Sequence, residues 1–250
     1  MDKTSDFIEL LKAVTVDSKD NGEGFVVSRR VEAIERLLDG TAYRLVAREP
    51  LALIYAKREL SAGDSVVLVS SHIDSVYDFC FCNDEGDYLR GTFDNSVGNA
   101  AILWLMLQGL LPDNVVVAFT GDEERDSQGA VQTVLALGRM QCDIKFALVL
   151  DVTNTGYESG AHFALENDLG IDIFTAHKIV ESVETVGVRY EFKHNAEPDE
   201  SWDYSDYGIP ALSVCAVVNG NLHGCEGVLL QKCALFSYCK SVLSVLNSLA

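Results

Sequence analysis

The chain has 250 residues, of which 48% are hydrophobic, and its formal net charge is −19. This length and composition are sufficient for one substantial core, so a single folded domain is expected over residues 1–250. The negative charge argues against a nucleic-acid-binding protein, because such proteins need a basic face that replaces counterions along the phosphates.

The first residues pass directly into an amphipathic pattern, without a basic stretch followed by an apolar run. The pattern therefore predicts no secretory signal, and no apolar segment reaches the ~18–20 residues of a membrane span. The seven cysteines are odd in number and scattered, which favours reduced thiols over a disulfide framework. We expect a cytoplasmic protein that does not bind membranes.

The first half of the chain changes from a helical to an extended period. Apolar residues recur at helical spacing near the N-terminus, and shorter apolar or alternating runs follow. The predicted elements are helices at 7–14 and 26–38, strands at 43–47, 51–56 and 66–70, and a hairpin of 79–82 with 88–90 around a loop at 83–87.

The second half alternates more regularly between the two periods. The predicted elements are helices at 100–111, 130–137, 171–186 and 228–249, and strands at 115–120, 146–150, 188–192 and 212–218. This alternation predicts an α/β protein, a three-layer αβα sandwich with a mixed, largely parallel central sheet. In such sheets, ligands bind beyond the carboxyl ends of the strands.

Side chains that can hold metal ions follow several of the predicted buried strands. They are His72, Glu123, Glu124, Asp151 and His223. Asp94 lies between them in the stretch 91–98 and is the candidate for a carboxylate that bridges two ions. Imidazole and carboxylate ligands suit zinc, and two ions sharing a carboxylate can polarise a carbonyl group.

Each of these residues taken alone also has an ordinary structural explanation. His72 suits a satisfied core histidine, Asp94 a helix cap, and His223 a turn, while the glutamate pair and Asp151 suit solvated loops. Asp74 lies two residues after His72, the spacing that returns a strand side chain to the same side, and is a candidate to orient the imidazole.

Five short segments, taken in order, resemble the five motifs of the dinuclear zinc exopeptidases. This group includes the bacterial-type leucine aminopeptidases, the tetrahedral aminopeptidases and the aminoacylases. The segments are Ser-His-Ile-Asp at 71–74, Gly-Thr-Phe-Asp-Asn at 91–95, Gly-Asp-Glu-Glu at 121–124, Asp-Val-Thr at 151–153 and His-Gly-Cys-Glu at 223–226. The last two are most similar to the tetrahedral aminopeptidases.

The resemblance implies two Zn²⁺ ions, with Co²⁺ or Mn²⁺ as alternatives. One ion is expected on His72, Asp94 and Asp151, and the other on Asp94, Glu124 and His223. The resemblance further implies Glu123 as general base, Asp74 behind His72, and a cis peptide bond between Asp94 and Asn95.

The chain departs from parts of this group. Only about twenty residues separate Asp74 from Asp94, too few for a large lid domain, and no insertion of dimerisation-domain size follows Asp151. We therefore expect one catalytic domain over 1–250, without a lid or a dimerisation domain, and leave a homo-oligomer open.

The expected activity is that of a metal-dependent exopeptidase, most similar to an aminopeptidase acting on peptides. A deacylase of N-acyl amino acids, acting on a small amide through the same site, and a non-catalytic metal-binding protein of the same fold are the alternatives. The acidic residues Glu197, Asp199, Glu200 and Asp203 are candidates for an anionic pocket around a free α-amine, with a solvated loop as the other explanation.

Overall fold

A computed structural model describes residues 3–18 and 28–250. The helices in this part of the chain are α1 (Lys3–Val14), α2 (Arg29–Leu38), α3 (Ser96–Leu107), α4 (Gln128–Arg139), α5 (Ile173–Glu184), α6 (Glu200–Asp206) and α7 (Ala234–Leu249). None of them is long and apolar enough to cross a membrane.

The strands in the same residues form one mixed sheet. They are β1 (Arg44–Glu49), β2 (Ala52–Ala56), β3 (Ser65–His72), β4 (Cys82–Glu85), β5 (Tyr88–Gly91), β6 (Val115–Thr120), β7 (Asp143–Thr153), β8 (Phe163–Leu169), β9 (Tyr190–Lys193), β10 (Ala211–Asn219) and β11 (Val228–Gln231).

The centre of the sheet is parallel and its flanks are mainly antiparallel. The main path runs β1-β2-β6-β3-β7-β10-β11-β5-β4, and β8 joins the side of β10 with β9 beyond it. Strands β6, β3, β7 and β10 run in parallel. β2 pairs antiparallel with β6, and both β8 and β11 pair antiparallel with β10, whereas β9 runs parallel to β8. The carboxyl ends of the four parallel strands therefore meet at one edge.

The central strands are apolar because both of their faces are covered. In β3, Val67 and Val69 belong to the core on one face, which also holds buried residues of α1, α2, α3 and α7. Val66 and Leu68 belong to the core on the other face, with buried residues of α4 and α6. Side chains alternate across a strand, so such a strand must be apolar at successive positions. The predicted three-layer αβα architecture is confirmed.

Two predicted elements are wrong in part. Residues 228–231 form β11 rather than the start of the closing helix, because they pair with both β10 and β5. The first strand of the predicted hairpin, at 79–82, is shifted: residues 79–81 are not in a strand, and β4 starts at Cys82 and includes residues 83–85, which were predicted as a loop. The hairpin turns at Gly86, whose φ is +73°. Val26, assigned to the second predicted helix, lies outside the described residues.

The start of α4 packs against the loop that follows β6. The Gly129 N–H donates a hydrogen bond to the Gly121 carbonyl at 3.0 Å. A Cβ at Gly129 would lie 2.5 Å from backbone atoms of Gly121 and 2.6 Å from the Leu51 carbonyl oxygen. Because backbone atoms in a packed loop have little room to move, any side chain here overpacks the contact.

We expect Gly129→Ala to lower the free energy of unfolding by about 1–3 kcal/mol, as overpacking does. Gly138 lies in the same helix and is exposed, and a Cβ there meets nothing within 4 Å beyond its own helix backbone. Gly138→Ala should instead raise the free energy of unfolding by about 0.5–1 kcal/mol. Chemical denaturation measures both variants, and shifts of the same sign would contradict the contact argument.

Candidate metal centre

His72 is the last residue of β3, at the edge where the parallel strands end. Its side chain is only 2% exposed. The Asn99 side-chain amide, from α3, donates a hydrogen bond to the His72 carbonyl oxygen at 2.8 Å. Asp74 Oδ1 lies 3.3 Å from His72 Nδ1, and Asp74 Oδ2 accepts a hydrogen bond from the Glu124 N–H at 3.2 Å. Asp74 therefore connects the end of β3 to the loop after β6.

Asp94 lies in the turn between β5 and α3. The peptide bond between Asp94 and Asn95 is cis, which confirms that part of the resemblance. The Asn95 side chain accepts a hydrogen bond from the Gly98 N–H at 3.1 Å and so caps α3. Its amide group donates to the Leu150 carbonyl oxygen at 2.5 Å. These two hydrogen bonds hold the turn, and with it Asp94, in place between α3 and β7.

The two carboxylate oxygens of Asp94 face two different groups of side chains. Asp94 Oδ1 lies 3.0 Å from His72 Nε2, which is 3.5 Å from Asp151 Oδ1. Asp94 Oδ2 lies 3.4 Å from His223 Nε2, which is 3.3 Å from Glu124 Oε2. Within each group, the potential ligand atoms all lie within 4.8 Å of one another. The structure thus brings together both sets of expected ligands.

Glu123 lies beside these groups. Its Oε2 atom is 3.9 Å from His72 Nε2, and its side chain is mostly buried. A third group, made by His72, Glu123 and Glu124, also has its potential ligand atoms within 4.8 Å of one another. Distance alone therefore does not separate a ligand from a general base among the two glutamates.

The acidic side chains at this edge disfavour one another's charge. Burial raises the pKa of Glu123 to about 10, and the nearby carboxylates of Asp151 and Asp94 add to this rise. Burial likewise raises the pKa of Glu124 to about 7 and that of Asp151 to about 6. Buried carboxylates that crowd each other need positive charge to stay ionised together.

The two imidazoles supply part of that charge. Although burial opposes the effect, His223 and His72 hold the pKa of Asp94 below its usual range. Burial alone would lower the pKa of His72, but the surrounding carboxylates raise it well above its usual value. Four carboxylates of the site with shifted pKa values are Asp94, Glu123, Glu124 and Asp151. Among these four, only the pKa of Asp94, which is buried between the imidazoles, is lowered.

Several buried atoms at this edge make no hydrogen bond within the described part of the chain. They are both ring nitrogens of His72, Asp74 Oδ1 and Glu124 Oε1. Buried polar atoms nearly always have partners, so four orphans in one place call for an explanation. The donor set of imidazoles and carboxylates is that of catalytic zinc sites. These residues therefore fit divalent metal ions.

A cavity of about 430 Å³ opens over the cluster. Of the acidic residues expected to surround an α-amine, Glu197 and Asp199 line this cavity. Glu200 does not: it is fully buried and accepts a hydrogen bond from the Ser70 hydroxyl at 2.7 Å. Asp203 is likewise not among the lining residues, so half of that expectation is wrong.

Sequence reasoning missed two residues that the structure places around the site. Asn99 donates a hydrogen bond to the His72 carbonyl oxygen, and Glu166 lines the cavity. The signal for Asn99 was available, because it is a polar amide inside an otherwise apolar helix. Glu166 carried no such signal, since acidic residues in a sequence mostly mark exposed positions.

The sequence matches the family model described as peptidase family M28 over residues 54–226, more than half of the chain. No protein of curated function matches it. The fold is similar to that of an aminopeptidase from the archaeon Desulfurococcus kamchatkensis, with a TM-score of 0.75, 13% identity, and coverage of 98% of this chain and 94% of that chain.

Two further solved structures share the fold. The TET1 peptidase of Pyrococcus horikoshii has a TM-score of 0.71 and 15% identity, over 95% of this chain and 98% of that chain. A zinc aminopeptidase from Bacillus subtilis has a TM-score of 0.58 and 16% identity, over 78% of this chain and 48% of that chain. At these identities the likeness establishes the fold alone.

Proposed function

Because the chain belongs to peptidase family M28, and is therefore a hydrolase, we propose that it is an aminopeptidase that removes N-terminal residues from peptides with two zinc ions. The observation that carries this proposal is Asp94, which turns one carboxylate oxygen to each of two ligand groups. The zinc aminopeptidase of Bacillus subtilis, which shares the fold, supports the choice of metal, with Co²⁺ or Mn²⁺ as alternatives.

In this proposal, one ion is held by His72, Asp94 and Asp151, and the other by Asp94, Glu124 and His223. When bound, zinc supplies a Lewis acid that polarises the scissile carbonyl and lowers the pKa of a water molecule. His223 is 57% exposed, whereas His72 is buried, so the second group is the one nearer to solvent.

Glu123 is assigned the proton transfer. It belongs to neither of the two groups that share Asp94, yet its carboxylate lies at their edge and lines the cavity. A carboxylate in this place can take a proton from the attacking water and give it to the leaving amine. Asp74, in contact with His72 and the Glu124 N–H, acts as a positioning residue for both.

The cavity wall supports a substrate with a free amino terminus. Glu197 and Asp199 add negative charge beside the cluster, which suits an ammonium group. Lys193 and Arg125 also line the cavity, and basic side chains suit the free carboxylate of an N-acyl amino acid. This second observation favours the deacylase alternative, which the next experiment separates from the proposed activity.

We expect the zinc-loaded protein to release the first residue of an unblocked peptide, and N-acetylation of that peptide to lower kcat/KM by about 10–100-fold. The expected factor reflects the loss of a charge-assisted hydrogen bond worth ~1.5–3 kcal/mol. The measurement is product release from the matched pair of peptides. Faster hydrolysis of the acetylated peptide would establish a deacylase, and a zinc-replete protein inert toward both would be non-catalytic.

The proposal also covers domain organisation and assembly. The described strands share one sheet, which supports a single catalytic domain over 1–250 without a lid or dimerisation domain. The TET1 peptidase of Pyrococcus horikoshii can assemble into a tetrahedron or a large octahedral shell. By analogy, we propose that this chain also forms a homo-oligomer. Analytical ultracentrifugation tests this, because the measured mass in solution is either that of one chain or a multiple of it.

A further inference from the structure

Glu166 is a buried carboxylate without a cationic partner. It lies in β8 and is 6% exposed. Its Oε1 atom accepts a hydrogen bond from the Thr153 hydroxyl at 3.0 Å, and its Oε2 atom contacts the Cys215 thiol at 3.8 Å. It forms no ion pair with any residue in the described ranges. Burying a carboxylate without a cationic partner is costly, so its place at a cavity wall points to a ligand that supplies the cation.

Glu166 contacts two residues that are neighbours of Asp151 in the sheet. Thr153, which holds its carboxylate, is two residues after Asp151 on β7 and therefore points to the same side of the sheet. Two residues of a strand span about 6.4–6.8 Å. Cys215, the second contact of Glu166, pairs with Asp151 in the register of β10 and β7. The same cavity is lined by all four residues.

The inner and outer parts of the cavity differ in charge. Asp199 is also buried and lines the inner wall with Glu166. Lys193 pairs with Glu166 in the register of β8 and β9, but its side chain is exposed, at the rim. The inner wall therefore carries two carboxylates, while the basic charge stays in contact with water. An acidic side chain entering this space would meet like charge.

The remaining wall suits a long side chain with an apolar stem. Val152, Ala196, Pro198 and Leu222 line the cavity beside the acidic groups. Lysine and arginine carry their charge at the end of a flexible apolar stem, which can lie along such a surface while the charged end pairs with a carboxylate. A residue whose backbone lies at the cluster would then bring its charge to Glu166.

We propose that Glu166 is a specificity-determining residue, and that the protein prefers peptides whose N-terminal residue is lysine or arginine. This inference rests on the proposed aminopeptidase function. Glu166 pairs with the charged end of the first side chain, and Asp199 adds to the negative field. The first side chain takes no part in the hydrolysis itself, so peptides that differ in this side chain present the same scissile bond to the groups near Asp151.

The test compares peptides that differ only in their first residue, which is lysine, norleucine or glutamate. Norleucine has the four-carbon stem of lysine without its charge. With the zinc-loaded wild-type protein we expect kcat/KM for lysine to exceed that for norleucine by about 10–100-fold, and glutamate to be the poorest. In Glu166→Gln, which keeps the size and the bond to Thr153, the ratio of lysine to norleucine should fall to within about threefold.

Two further variants serve as controls. Glu184→Gln removes an exposed carboxylate at the end of α5 that does not line the cavity, and should leave the ratio as in wild type. Lys193→Met removes the rim cation and should raise the ratio. Since each ratio is taken within one preparation, a lower folded fraction in a variant does not change it.

The outcomes separate this inference from the function on which it rests. Cleavage of norleucine and lysine peptides at equal rates by wild type would overturn the specificity and leave the aminopeptidase proposal standing. A lysine preference that persists in Glu166→Gln would overturn the assignment to Glu166. Failure to cleave any free peptide would overturn the proposed function and this inference together.

Discussion

Glu123→Gln is expected to lower kcat by about 10²–10⁴-fold, the usual contribution of general-base catalysis, while the protein keeps its zinc. Glutamine has the size and hydrogen-bonding reach of glutamate but cannot accept the proton. Glu123 belongs to neither of the two groups that share Asp94. The Glu123→Gln substitution should therefore leave KM little changed. Steady-state kinetics and zinc content measured on the same preparation give both quantities.

Glu124→Ala is the matched comparison, because the adjacent glutamate lies 3.3 Å from His223 Nε2 and belongs to the second ligand group. This variant should lose zinc as well as activity. The comparison is needed because both glutamates also form a group with His72. Retention of zinc by Glu124→Ala and its loss from Glu123→Gln would reverse the roles. A fully active Glu123→Gln would refute the mechanism.

Asp94→Asn is expected to lower the affinity for zinc by more than about 100-fold, and activity with it. Loss of an outer-sphere partner already costs about 10–100-fold in metal affinity, and Asp94 is proposed to bind both ions directly. An amide offers one neutral oxygen where the carboxylate offers two anionic ones. Zinc titration of the purified variant, followed by peptide hydrolysis at each zinc concentration, measures both effects.

Asp126→Asn is the control for this change, because it removes an exposed carboxylate from the loop that carries the two glutamates. It should bind zinc as tightly as the wild-type protein. If Asp94→Asn loses one zinc ion and keeps the other at wild-type affinity, Asp94 does not bridge the ions. Equal behaviour of the two variants would remove Asp94 from the site altogether.

The central strands were predictable because burial on both faces leaves a simple pattern. The strand at 115–120 was predicted with the bounds that the structure has. β8 was not predicted, since Glu166, Asn167 and Asp168 lie within it and resemble a loop. Glu166 is buried there through contacts with β7 and β10 that no local pattern reveals. For β11, a short apolar run before a helix gave no signal that distinguishes a strand from the helix itself.

The ligand cluster was easier to anticipate than its surroundings. Residues at the carboxyl ends of parallel strands converge by topology, so His72 and Asp151 were expected near each other before any distance was known. The supporting contacts join residues far apart in the chain. Ser70 donates to Glu200 and accepts a hydrogen bond from Tyr204 at 2.8 Å, and only the packing of α6 against the sheet creates that network.

The position of β10 in the sheet has a consequence for the life of the protein in the cell. His223 follows this strand, which lies between β7 and β8 although it is the tenth in the chain. Synthesis proceeds from the N-terminus, and domains fold as their residues emerge. A chain still attached to the ribosome therefore lacks His223, and with it one of the two groups around Asp94, until β10 and the loop after it have been made.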